Sequence, residues 1–184
     1  MSNSNIVFGL TGSIACYKAC ELISTLVKEG HEVQTVVSIS ALNFIGKATL
    51  EGLTGKSVYY DTFEEGKMMS HIELVKWADI FVTAPATANT INKLAAGIGD
   101  NIIGALFLAN NFQKPYLISP AMNTQMLEHP ATQNSLYTLK KWGCKVLDTD
   151  EGILACGDIG KGKLLSLPKI DQAIKRELYP RGVQ

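Results

Sequence analysis

The segment Ala155-Cys156-Gly157-Asp158 sets a thiol inside a glycine-crowded stretch that runs from Gly152 to Gly162. A structural cysteine belongs in an apolar core element. Cys156 instead has glycine and charge as neighbours. A thiol on such a loop suits delivery into a closed site as proton donor or nucleophile; the plain alternative is a loosely packed loop cysteine. His71 starts a helix after a glycine-broken loop, with Ser70 beside it, and is the candidate acid–base group. His31 behind Gly30 reads as structural, and His129 before Pro130 as a residue of a surface turn. Pro120-Ala121-Met122-Asn123 joins a fixed backbone, an apolar side chain that packs or walls a flat ring, and a carboxamide that donates and accepts. Pro85-Ala86-Thr87-Ala88-Asn89-Thr90 brings two hydroxyls and a carboxamide to a helix start, as caps or as a cradle for a phosphate or ribityl chain. Gly12-Ser13 is either a simple turn or an anion site, and fits neither the dinucleotide-binding glycine pattern nor a P-loop.

These residues need elements to position them. Asn5–Leu10 reads as a strand, Ala15 to Leu26 as a helix opened by Gly12-Ser13 and stopped at Gly30, and Glu32–Ser38 as a second strand. That is a βαβ unit, whose right-handed crossover makes a parallel sheet. Ser40–Leu50 is weakly helical and Glu51–Lys67 irregular. A helix over 71–77 has Ser70 as N-cap and Glu73 at the capping-box position. Strands follow at Asp79–Ala84, Pro115–Ser119 and Cys144–Leu147, and helices at Ala88–Ala95, Ile102–Ala109, Ala131–Trp142 and Lys169–Glu177. Asp100-Asn101 caps the helix it precedes or reaches the same cleft. Residues 153–165 read as a mobile glycine-rich loop. The pattern is a single α/β domain of about five parallel strands. Ligands bind such sheets beyond the carboxyl ends of the strands, which singles out Thr11–Ile14, Ser38–Ser40, Pro85–Thr90 and Pro120–Asn123 as one cleft.

Composition narrows the classes. The chain has 184 residues, enough to bury a core without disulfides. Its 17 basic and 17 acidic residues cancel, which excludes a polybasic nucleic-acid module and charge-driven disorder. Charged residues make up 18%, below the usual value of about 25%, which leaves room for a second unsolvated surface, a subunit interface. Arginine occurs only at 176 and 181, so phosphate recognition in the body falls to backbone N–H groups, hydroxyls and lysines. Cys16 and Cys20 stand one helical turn apart, but no further pair completes a metal site, and none is expected. The cysteine usage fits a reducing compartment. With no signal peptide and no apolar run long enough to span a bilayer, a cytoplasmic protein is expected.

Taken in order, Gly9-Leu-Thr-Gly-Ser-Ile-Ala15, Ser70-His-Ile-Glu-Leu74, Pro85–Thr90, Pro120–Asn123 and Ala155–Asp158 resemble the homo-oligomeric flavin-containing cysteine decarboxylases. The resemblance covers most of the chain. Two positions depart from the family pattern: Thr87 replaces the usual serine and keeps the hydroxyl, and Gly162-Lys163-Leu164 stands where Gly-Arg-Met is common. Lys163 keeps the charge but not the fork with which the flap grips its substrate.

The resemblance implies a three-layer Rossmann-like or flavodoxin-like fold with a central parallel sheet, spanning residues 1–184, with 152–166 as a mobile substrate-covering flap. It implies FMN, held by Gly12, Ser13, Ile14, Ser38, Ser40, Pro85, Ala86, Thr87, Asn89, Thr90 and Met122. It implies His71, Asn123 and Cys156 as catalytic residues, with Asn123, Met126, Ala155 and Lys161 on the substrate. The implied reaction turns 4'-phosphopantothenoylcysteine into 4'-phosphopantetheine, in coenzyme A biosynthesis. The substrate thiol is oxidised at FMN, CO₂ leaves an enethiolate, and hydride returns while Cys156 supplies a proton. His71 acts as base or orienting group, and Asn123 holds the carboxylate. A homotrimer is implied, in some members assembled into a dodecamer, with FMN near a subunit interface. Related branches offer two alternatives, a peptidyl-cysteine decarboxylase of lantibiotic type and a non-catalytic regulatory FMN-binding protein. Flavin prenyltransferases share the broad fold, but their pattern is missing at Ser70–Leu74. Many members continue into a synthetase domain near where this chain ends at Gln184, so a single-domain decarboxylase with a separate phosphopantothenate–cysteine ligase is expected.

Overall fold

The computed structural model describes residues 3–61 and 70–180, the side chain of Ser70 excepted. Strands β1 (Asn5–Leu10), β2 (Glu32–Val37), β3 (Ile80–Ala86), β4 (Tyr116–Pro120) and β5 (Lys145–Val146) form a 5-stranded sheet in the order β2-β1-β3-β4-β5. Every pair in it is parallel. Helices α1 (Cys16–Lys28), α2 (Lys47–Thr54) and α8 (Leu167–Leu178) cover one face. Helices α3 (Ser70–Trp77), α4 (Ala88–Ala95), α5 (Ile102–Asn110) and α7 (Pro130–Lys141) cover the other. A short α6 (Thr124–Glu128) precedes α7, and β6 (Asp150–Ile153) pairs antiparallel with β7 (Ile159–Lys163). This is the three-layer doubly wound α/β architecture expected.

The two cores follow from strand alternation. In β1, Ile6, Phe8 and Leu10 face α1, α2 and α8, while Val7 faces the opposite layer. All four are buried, which is why the strand reads as a continuous apolar run. Emptying the Phe8 position to alanine costs about 3–5 kcal/mol. Helix α1 buries Cys16, Ala19, Leu22, Ile23 and Leu26, one stripe at helical spacing. It stops at Gly30, whose φ of 93° suits glycine, with Gly30 N donating to Val27 O at 3.0 Å and His31 N to Leu26 O at 3.1 Å.

Several expectations are corrected. Helix α1 does not open at Gly12-Ser13; residues 12–15 form turns and Ala15 is the N-cap. Residues 40–50 do not form one helix: a short 3-10 turn over Ile39–Asn43 is followed, after an extended Gly46, by α2. Helix α2 therefore runs into the stretch expected to be irregular. Strand β3 continues through Pro85 to Ala86, with a register shift against β4 between Thr83 and Ala86. Residues 153–165, expected as a loop, contribute to the β6–β7 hairpin; glycines hid its strand pattern. Helix α6 was not foreseen, because five residues carry too little periodicity. The capping role expected of Ser70 lies outside the described residues. Among the described residues no helix is long and apolar enough to cross a membrane, and no acidic, histidine or cysteine group could hold a metal.

Candidate functional site

Strand order reverses beside β1: the chain passes from β1 outward to β2, then returns to β3 on the other side. The crevice between the carboxyl ends of β1 and β3 is where such sheets bind ligands. Thr11, the first residue past β1, is fully buried there. Its hydroxyl donates to Pro85 O at 2.7 Å, and Thr87 N donates to that hydroxyl at 2.9 Å. Thr87 Oγ1 in turn accepts from Thr90 N at 3.4 Å, capping α4, and donates to Thr90 Oγ1 at 3.3 Å. One buried hydroxyl thus ties the loop after β1 to the loop after β3, next to the cis Ala84-Pro85 peptide.

The loop after β2 closes on the same point. Ser38 Oγ and Ser40 Oγ lie 3.0 Å apart, and a Cβ placed on Gly12 would come within 2.6 Å of Ser40 Oγ. Only glycine fits position 12. Ser13 Oγ accepts from Ala15 N at 3.2 Å, and Asn89 is exposed on the first turn of α4. Ile14 and Ile39 expose 54% and 62% of their surfaces, so two apolar side chains stand in solvent beside a ring of hydroxyls. Such a pairing suits a ligand with both a polar chain and a flat apolar part.

A second group gathers around Asn123. Its Oδ1 accepts from Gln125 N at 2.8 Å and caps α6. Its Nδ2 donates to Cys156 Sγ at 3.4 Å and to Asp158 Oδ2 at 3.5 Å. The β6–β7 hairpin reaches this position because it is seated on residues 122–124. Met122 N donates to Gly162 O at 2.9 Å, and Thr124 Oγ1 donates to Lys161 O at 2.7 Å. Cys156 and Ala155 are exposed at the hairpin tip, and Met126 is half-exposed on α6.

The other three cysteines are poor nucleophiles. Burial pushes the Cys16 thiol up to about 11, and Cys16 Sγ donates to Thr11 O at 3.2 Å. Burial pushes Cys144 up to about 12 and also raises Cys20. Among the described cysteines, only Cys156 is exposed.

Among the described residues, no hydrogen bond joins His71 to Asn123 or Cys156. The His71 Nδ1 is buried and has no hydrogen-bond partner among the described residues. His129 is more than a surface-turn residue, since its Nδ1 accepts from Ala131 N and caps α7. His31 is buried as a core histidine, and neither ring nitrogen has a hydrogen-bond partner among the described residues. Asn101 caps α5 through Gly104 N at 3.0 Å, and Asp100 pairs with Lys93. Three residues are not singled out individually from sequence, although Thr11 and Asp158 lie in segments that are: Thr11, Thr124 and Asp158. A threonine directly past a strand gives a weak signal for Thr11. Thr124 and Asp158 matter only through contacts distant in sequence.

The match to the family model described as Flavoprotein covers residues 1–179. The chain belongs to the Flavoprotein family. It is similar to a probable phosphopantothenoylcysteine decarboxylase of Streptococcus mutans serotype c, 41% identical over 175 residues, covering 94% of this chain and 98% of that one. It is also similar to the coenzyme A biosynthesis bifunctional protein CoaBC of Bacillus subtilis, 42% identical over 166 residues and 89% of this chain. The chain spans only 40% of the length of that bifunctional relative. Among solved structures of Flavoprotein relatives, a cysteine-to-serine mutant of PPC decarboxylase complexed with pantothenoylaminoethenethiol superposes with a TM-score of 0.85. Identity there is 32%, over 95% of this chain and 97% of that one. The FMN binding protein AtHal3 gives a TM-score of 0.85 at 31% identity, over 99% of this chain and 100% of that one. This Flavoprotein member is thus homologous to PPC decarboxylase, CoaBC and related FMN-dependent cysteine decarboxylases.

Proposed function

We propose that this chain decarboxylates 4'-phosphopantothenoylcysteine to 4'-phosphopantetheine with bound FMN. The observation that carries the proposal is the contact of Cys156 with Asn123 beneath a hairpin seated on residues 122–124. The relative complexed with an aminoethenethiol has a serine in place of a cysteine, which supports a thiol acting after CO₂ has left.

The donor set fits FMN. The hydroxyls of Ser13, Ser38, Ser40, Thr87 and Thr90, with the closely approachable backbone at Gly12, would hold its phosphate and ribityl chain. Ile14, Ala86 and Met122 would line its ring, and Pro85 and Asn89 complete the loop. When bound, FMN supplies the reversible two-electron oxidation of the substrate thiol.

The chain's own residues do the rest. Asn123 holds the substrate carboxylate, which Nδ2 can reach once it leaves Asp158. His71, with an unpartnered Nδ1, serves as base or orienting group. Met126, Ala155 and Lys161 border the substrate from α6 and the hairpin. Cys156 donates its proton to the enethiolate left by CO₂. The hairpin acts as a flap over the bound substrate, and a trimer with FMN near its subunit interface completes the site. The Ala155–Asp158 sequence favours this substrate over a peptidyl cysteine, since lantibiotic-type enzymes stop at the enethiol.

Purified protein is expected to be yellow and to release FMN on denaturation. Anaerobic incubation with 4'-phosphopantothenoylcysteine should yield CO₂ and 4'-phosphopantetheine, and Cys156→Ser should yield CO₂ and an enethiol. A protein unable to take up FMN, or one that takes it up and releases no CO₂, overturns the proposal.

A further inference from the structure

The hairpin tip carries one polar side chain that the steps above leave unused. Asp158 Oδ2 accepts from Cys156 Sγ at 3.3 Å, as well as from Asn123 Nδ2 at 3.5 Å. With Asn123 Nδ2 at 3.4 Å from the sulfur, three side chains close a triangle. The turn is built to form it. Leu154 N donates to Asp158 O at 2.8 Å, Gly157 N donates to Leu154 O at 2.9 Å, and Gly157 takes a φ of 91°. The chain therefore doubles back and sets the carboxylate beside the thiol two residues earlier. Asn123 is fixed independently, because its Oδ1 is engaged by Gln125 N.

We propose that Asp158 is a positioning residue that pins the Cys156 thiol against Asn123. The inference rests on the proposed decarboxylation. An exposed cysteine side chain samples several rotamers, and its S–H is a weak donor. A neutral acceptor would hold it poorly; an ionised carboxylate makes the stronger, charge-assisted bond. Asn123 is where the substrate carboxylate is held, so the carbon that loses CO₂ lies next to the pinned sulfur. In the step served, the Cys156 S–H bond breaks and a C–H bond forms at that carbon. The enethiolate becomes a thioaldehyde, and its negative charge passes to the Cys156 sulfur. Proton transfer needs donor and acceptor within hydrogen-bond reach, which a freely rotating thiol meets only part of the time.

Two measurements on the full FMN-loaded chain test this with Asp158→Ala and Asp158→Glu. The first is the ratio of saturated thiol product to CO₂ released anaerobically. Asp158→Ala should lower it roughly tenfold, and Asp158→Glu should recover most of the loss. The second needs no turnover: the rate of Cys156 alkylation by anionic iodoacetate divided by that for neutral iodoacetamide, followed on the Cys156 peptide. Removing the neighbouring carboxylate should raise that quotient by roughly threefold or more. Both ratios staying at wild-type values would overturn the inference. So would a loss of product with Asp158→Glu no better than Asp158→Ala and the alkylation quotient unchanged, which is the signature of a merely structural residue. Wild-type protein that releases no CO₂ would sink the proposed function, and the alkylation quotient alone would then decide whether Asp158 holds the thiol.

Discussion

Gly162 lies so close to Met122 that a Cβ at position 162 would stand 2.2 Å from Met122 O. Its φ of 116° is also a conformation that side-chain-bearing residues avoid. Together with the bond from Met122 N to Gly162 O, this contact seats the hairpin that carries Cys156. Gly162→Ala is expected to cost about 1–3 kcal/mol in stability and to unseat the hairpin. A domain of this size loses roughly 2–4 °C of Tm per kcal/mol. Thermal melting and proteolytic nicking within residues 150–163 measure both effects; an unchanged melt with normal turnover would contradict the contact's role.

Thr11 joins two loops through one hydroxyl. Thr11→Val keeps the shape but removes the bond to Pro85 O and leaves Thr87 N without its acceptor. A buried donor left unsatisfied costs about 1–3 kcal/mol. Urea unfolding should show that loss, and the FMN-to-protein ratio after purification should fall. Full FMN retention with wild-type stability would refute the coupling of the loops to cofactor binding.

His71 has a buried Nδ1 that no described residue satisfies. Removing an unsatisfied group leaves no protein partner stranded, so His71→Asn is expected to fold with stability within about 1 kcal/mol of wild type. Loss of an acid–base group costs about 10²–10⁴-fold in rate. Retained FMN with lost CO₂ release is the expected pair of results. Unfolding of the variant would instead mark His71 as a core residue.

His31 gives a pH dependence. Burial lowers its affinity for a proton below the ordinary value of 6.5, with the Glu29 carboxylate opposing that shift. The unfolded chain then binds a proton at higher pH than the folded one does. The contribution is whole above 6.5 and is lost as pH falls from there through the folded-state value. Chemical denaturation from pH 8 to pH 5 should show a decline that His31→Phe reduces. Identical slopes in both proteins would show that His31 does not contribute.

Local chemistry determined a great deal of this protein before any contact was known. The continuous apolar run of β1 announced a strand buried on both faces, and the Leu22–Ile23–Leu26 stripe of α1 a helix buried on one. The loops after strands announced a cleft, since parallel sheets bind ligands at their carboxyl ends. The hairpin stayed hidden because Gly152, Gly157, Gly160 and Gly162 carry no side chains to alternate. Gly160 and Gly162 are there for close approach, to Thr124 and Met122, and such approach exists only once residues 122–124 and 160–162 meet. The same holds for Thr11 with Thr87, and for the triangle of Asn123, Cys156 and Asp158. Sequence fixes which donors and acceptors are available at each position. Which of them pair across 33 or 76 residues is decided by the sheet order and by the seating of the hairpin.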